Sequence, residues 1–165
     1  MAENDKKWNE TYERFAEKTR TFFSESREKT VQSLDEALEK ARDYFEKAGE
    51  LTQEESHQFK EYLTRDLEET GKDFTRWSTW VKEHSSASRV SAGFLDLTAQ
   101  IAEGGQGLLE RLSSWANSTG VYHTGEMAAP GILRCRSCEE EIHFHGAGRI
   151  PPCPKCHKTE YRRVG

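Results

Sequence analysis

The chain is 165 residues long, enough for one ordinary domain or two small ones, and is 34 % hydrophobic and 32 % charged. So little apolar material suits long one-sided helices better than a thick core, while four Trp, eight Phe and five Tyr exclude wholesale disorder. The net charge of -5 divides into -7 over residues 1–120 and +2 over residues 121–165, so there is no broad basic face for strong non-specific nucleic-acid binding.

The first residues, Met1-Ala-Glu-Asn-Asp-Lys-Lys, lack the apolar core of a signal peptide. No run of about 18 apolar residues follows anywhere, so a cytoplasmic setting without a membrane span is expected. Residues 4 to 48 contain neither Pro nor Gly. Trp8, Tyr12 and Phe15, then Phe22 with Phe23, begin at helical spacing, and Val31, Leu34, Leu38, Ala41, Phe45 and Ala48 resume it in steps of three and four, which predicts a helix. Ser24 to Thr30 is wholly polar and shifts the phase of the stripe, as a stutter or kink would. Gly49 suits a C-terminal cap.

Thr52 and Glu55 have capping-box spacing, so a second helix starts there, with Phe59, Leu63, Leu67, Thr70, Phe74, Trp77, Val81 and His84 on one face. Gly71 interrupts it, at a cost of about 1 kcal/mol relative to Ala. The segment from His84 to Ser88 reads as a turn ending in an N-cap serine. A third helix carries Phe94, Leu95, Thr98, Ile101, Leu108, Leu109, Leu112 and Trp115, with a break or kink expected at Gly104–Gly107. The fold class is therefore mainly α: long antiparallel helices in a hairpin or three-helix, coiled-coil-like arrangement over residues 1–118. A continuous first helix of about 45 residues would be about 65 Å long, which favours an elongated shape.

Residues 119–165 form a second, β-rich domain in which short apolar runs alternate with Gly and Pro, too small to fold on its own core. Its four cysteines fall as Cys135-Arg-Ser-Cys138, fourteen intervening residues, then Cys153-Pro-Lys-Cys156. Each Cys-x-x-Cys makes a tight knuckle that offers two sulfurs, and two knuckles complete a tetrahedron around one structural Zn2+ ion, with iron the less favoured metal. Four thiolates close the shell and leave no open position for water or substrate. His143 and His145 alternate on one face, His157 follows the last cysteine and His123 precedes the module. They are read as exposed or hydrogen-bonded imidazoles in preference to ligands, and His84 as the edge of a helical core.

Several segments carry a family resemblance: Gly49-Glu-Leu-Thr52, Arg65-Asp-Leu-Glu-Glu69, and Gly120-Val-Tyr-His-Thr-Gly-Glu126 leading into the knuckles. On these the sequence resembles the bacterial YbeL-like zinc-ribbon-containing family over most of its length. The resemblance implies a cytoplasmic bacterial protein with a helical N-terminal region and a C-terminal zinc ribbon, and implies no activity. One departure stands out: many knuckles have Gly after the second Cys, where Glu139 and His157 stand here.

Functionally, the expectation is a non-enzymatic module that binds an unknown protein partner or a second copy of itself. The aromatic surplus motivates it, through Trp8, Phe15, Phe22, Phe23, Trp77, Trp80 and Trp115. The alternatives are nucleic-acid or ribosome association through Arg134, Arg136, Arg149, Lys155, Lys158, Arg162 and Arg163, and a thiol-redox or metal-responsive role. Glu139-Glu140-Glu141 opposes the first of these. No nucleophile elbow or phosphate loop is present, and Gly104–Gly107 lacks the strand and Lys of a P-loop, so no enzyme is expected.

Overall fold

A computed structural model describes residues 2–84, 88–104, 107–116 and 119–165. Each of the three expected helices is present as a pair of shorter ones. The first divides into α1 (Ala2–Ser24) and α2 (Val31–Lys47). The polar link between them is a true break: the Lys29 ammonium donates to the carbonyls of Phe23, Ser24 and Ser26, closing the end of α1. Thr30 and Ser33 then form a reciprocal capping box that opens α2. The chain reverses here, because Phe15 meets Phe45 with ring centroids 5.7 Å apart and Arg14 pairs with Glu50 at 2.5 Å. The continuous 45-residue rod, and the elongated shape it favoured, are replaced by a hairpin.

After α2, amides of Gly49 and Glu50 donate back to the carbonyls of Glu46 and Phe45, the paired hydrogen bonds of a Schellman ending. The expected Thr52–Glu55 capping box opens α3 (Gln53–Lys72). Asp73, at φ -137° and ψ 63°, interrupts the second helix, and α4 (Phe74–His84) resumes beyond it. The third pair is α5 (Ser88–Ala102) and α6 (Leu108–Ala116), divided at the glycine stretch as anticipated. Residues 85–87 of the expected turn, and Gly105 and Gln106, lie outside the described residues. Gly71 sits against α6, since a Cβ there would lie 2.9 Å from Leu109 Cδ1 and make that side chain shift.

The helices bury Tyr12, Phe15, Phe45, Phe59, Leu63, Trp77, Phe94 and Leu97 in one core, and Met127, Ala129 and Ala147 of the C-terminal module belong to that same core. No helix among the described residues is long and apolar enough to cross a membrane. His84 is exposed and stacks on Trp80, 4.6 Å between centroids, so it is not part of a core edge.

The module contains β1 (Val121–His123), β2 (Met127–Ala128), β3 (Gly131–Cys135), β4 (Glu141–Phe144), β5 (Gly148–Arg149) and β6 (Glu160–Arg163). Four of these form an antiparallel sheet in the order β1-β6-β3-β4, and β2 pairs with β5. Their own core is small: Tyr122, Ala128, Leu133, Ile150, Tyr161 and two of the cysteines.

A buried polar network seats this module on the helices. Asp66 of α3, 1 % exposed, accepts four hydrogen bonds: from Tyr12 (2.5 Å), Tyr122 (2.8 Å), the Ala129 amide (2.9 Å) and Arg163 (3.2 Å). Arg163 also donates to the Tyr122 hydroxyl and to the carbonyls of Ala129 and Pro130. Arg65 donates to Glu126 and to the Met127 carbonyl, with its guanidinium 3.8 Å from the centre of the Tyr122 ring. Burial opposes the Arg65 charge most strongly, but Asp66, Tyr122, Tyr12 and Glu126 together outweigh it and hold the pKa above the ordinary arginine value. Gly131 leaves room for this arrangement: at φ +141° it has no side chain, and a Cβ there would collide with Arg163 Nη1 and the Gly165 carbonyl.

A second tie joins α1 to the loop before β5, where the Ala147 amide donates to Glu13 Oε1 at 3.0 Å. Burial raises the Glu13 carboxyl from 4.5 to about 7, more than that amide lowers it. The folded state therefore binds more protons than the unfolded chain between those values. Glu13 favours folding fully below pH 4.5, and that contribution is lost as pH rises through about 7. A Glu13→Gln variant keeps an acceptor for Ala147 and removes the charge. Its melting temperature is expected to exceed that of the parent at about pH 8 and to match it at about pH 4.5. Parallel thermal melts check this, and an equal shift at both pH values would exclude Glu13 as the titrating group.

Candidate metal centre

The four cysteines stand on two knuckles of matching construction. Cys135 ends β3, and the first turn runs through Cys138. The second, Cys153 to Cys156, lies between β5 and β6. In the first, the Glu139 amide donates to the Cys135 carbonyl and the Cys135 amide to the Glu140 carbonyl. In the second, the His157 amide donates to the Cys153 carbonyl and the Cys153 amide to the Lys158 carbonyl. Glu139 (φ 65°) and His157 (φ 64°) are the non-glycine residues with positive φ among those described. The knuckles thus keep the left-handed turn without the glycine many ribbons place there, at a cost of about 1–2 kcal/mol each. Gly at either position relieves that strain but adds unfolded-state entropy, so Glu139→Gly and His157→Gly are each expected to stabilise the metal-loaded protein by about 0.5 kcal/mol. Chemical denaturation would show it, and a loss of stability on either change would contradict the strain.

The four Sγ atoms lie within 4.8 Å of one another, with Cys135 3.6 Å from Cys156 and Cys138 3.5 Å from Cys153. A tetrahedron of metal–sulfur bonds of about 2.3 Å has edges of about 3.8 Å, so the donors have the spacing that one zinc ion requires. Cys135 and Cys153 are fully buried. The amides of Cys138 and Ser137 lower the Cys135 thiol pKa, and those of Cys156 and Lys155 lower Cys153, favouring two of the thiolates a metal needs. At Cys138, by contrast, the Glu140 amide is outweighed by burial and the neighbouring thiols, which raise the pKa. Tyr161 backs the site and donates to the Pro151 carbonyl at 2.8 Å; burial, and then the cysteine charges, push its phenol up to about 12. The donor set therefore fits a single four-sulfur metal ion.

A family model described as a zinc-ribbon containing domain matches residues 21–165. The chain belongs to the zinc-ribbon containing domain family. Within it, the chain is similar to the protein named "Uncharacterized protein YbeL" in Escherichia coli K12 and in the O6:H1 and O157:H7 strains. The identity is 27 % over 118 residues, 70 % of this chain and 72 % of the relative. No solved structure matches the chain. Family membership and the sulfur geometry agree on metal binding, and the zinc-ribbon motif read from spacing is the cluster seen in the fold.

No histidine joins the sulfur cluster among the described residues. His143 and His145 do share a face: both pack against Trp80, each with its centroid 5.8 Å from the Trp80 ring. His145 Nδ1 lies 2.8 Å from the His84 carbonyl, and His123 lies near Glu126 and Glu160. His157 is exposed at its turn. Four of the seven basic residues named for the zinc ribbon have acidic partners. Arg134 pairs with Glu141 (2.7 Å), Arg136 with Glu160 (3.1 Å) and Arg149 with Asp5 (3.5 Å), while Arg163 is buried on Asp66.

The residues that sequence reasoning missed are Asp66 and Arg163. The helical stripe passes over Arg65 and Asp66 because both are charged, and Arg163 reads as one more surface cation. For Asp66 the signal was adjacency, an Arg65-Asp66 pair flanked by Thr64 and Leu67 within the turns that carry Leu63 and Leu67 inward, and Arg163 carried none.

Proposed function

We propose that this protein is a non-enzymatic binding protein. Its zinc ribbon is a rigid, metal-held unit, and its helical surface around Trp115 receives a protein partner. Trp115 carries this reading. It is the most exposed large apolar side chain among the described residues, at 43 %, whereas Phe15, Phe23 and Trp77 of the same aromatic set are buried. Hollows open on both of its sides, one lined by His57, Lys60 and Tyr62 and the other by Val31, Gln32 and Arg111. An exposed tryptophan beside concave surface is the usual composition of an interface anchor. The closed four-thiolate shell supports a structural rather than catalytic metal, and four free thiols arranged for a metal fit a reducing, cytoplasmic compartment. Nucleic-acid contact is the weaker reading, because acidic neighbours already hold Arg134, Arg136 and Arg149.

The test compares the full-length protein with a Trp115→Ala variant in affinity capture from a bacterial lysate, alongside light scattering for self-association. Specific capture or dimer formation that disappears in Trp115→Ala supports the reading. The same partners and mass in both proteins would remove Trp115 from it.

A further inference from the structure

One short strand joins the metal ligands to the buried network. β6 begins at Glu160, four residues after Cys156, and its Tyr161 lies opposite Cys135 in the β3–β6 register. Two residues further on, Arg163 points the same way and enters the Asp66 site, where its side chain is 3 % exposed. Asp66 in turn holds Tyr12 of α1. The ribbon's own core counts two cysteines among its seven fully buried members, so the order of β6 depends on the knuckles being closed. Open knuckles would release β6, withdraw Arg163, and leave Asp66, Tyr12 and Tyr122 to rearrange. They would also uncover the face where Met127, Ala129 and Ala147 join the helical core, and the Pro130 carbonyl that accepts from Trp77 at 2.7 Å.

We propose that filling of the four-cysteine site and seating of the helices on the ribbon are a single linked equilibrium, with Arg163 on Asp66 as the latch. The linkage is reciprocal. Weakening the latch must weaken metal binding, although neither Asp66 nor Tyr12 is a ligand. Loosening the metal site must likewise loosen α1 and α3, which carry no ligand. The device makes an apolar helical face accessible only when the cysteines release their ion.

The experiment uses the full-length protein and zinc itself. Zinc affinity is measured by competition with a chromophoric chelator in the parent, in Asp66→Asn and in the milder Tyr12→Phe. Amide hydrogen exchange in α1 and α3 is followed with zinc bound and after zinc is removed. Asp66→Asn is expected to weaken zinc binding tenfold or more, and Tyr12→Phe by a few-fold, because each removes part of a buried hydrogen-bonded charge site. Zinc removal is expected to speed exchange in both helices. If Asp66→Asn fails to fold, Tyr12→Phe decides. Zinc affinities within twofold of the parent in every variant that folds overturn the proposal, and so does helix exchange that is unchanged on zinc removal.

Discussion

Replacing Cys135 or Cys153 with Ser is expected to abolish stoichiometric zinc binding and to unfold the C-terminal module. Both sulfurs are fully buried, and each belongs to a different knuckle, so either change opens the tetrahedron. In small zinc domains the metal contributes about 10–16 kcal/mol, far more than the few apolar side chains of this ribbon supply. The sheet order β1-β6-β3-β4 places both knuckles against its central strands, so the damage spreads through all four. Hydrogen exchange of the β3 and β6 amides, with metal content by mass spectrometry, is the measurement. Retained protection of those strands without metal would mean that the module folds on packing alone.

Asp66→Ala is expected to destabilise the metal-loaded protein by about 3–5 kcal/mol. The carboxylate is the buried counter-charge of Arg163, at 3.2 Å, and lies near Arg65, at 3.8 Å. Its loss leaves the Arg163 cation in a dry site and the hydroxyls of Tyr12 and Tyr122 and the amide of Ala129 without their acceptor. Surface ion pairs such as Lys47–Asp43 offer the contrast: open to water, they contribute little. Urea denaturation followed by helical circular dichroism measures the difference. A loss below about 1 kcal/mol would show that water replaces the carboxylate and that the network is not dry.

The metal site was legible in the sequence because its chemistry is local. Two Cys-x-x-Cys turns fix the ligand type and count, and only the distance between the turns needed the fold. Helix starts and stops were legible for the same reason: Thr52 with Glu55, Gly49, and the glycines near residue 104 act on their own neighbours. The mainly α class followed from period and composition. The reversal between α1 and α2 was read only as a phase shift, since the Lys29 cap and the Thr30–Ser33 box involve residues that also occur inside helices. Asp73 itself gave no warning, because the apolar spacing continues through it; beyond the bend α4 packs on α5 and β3. The Asp66 network was invisible because charge patterning assigns Arg and Asp to the surface, and only tertiary contact brings residues 12, 66, 122 and 163 together.

X-ray absorption at the zinc edge, on full-length protein with its metal content measured, tests the four-sulfur cage most directly. The predicted result is one equivalent of zinc with four sulfur neighbours at about 2.3 Å and no lighter atom in the shell. A nitrogen or oxygen ligand in that shell, or less than half an equivalent of bound metal in folded protein, would contradict it.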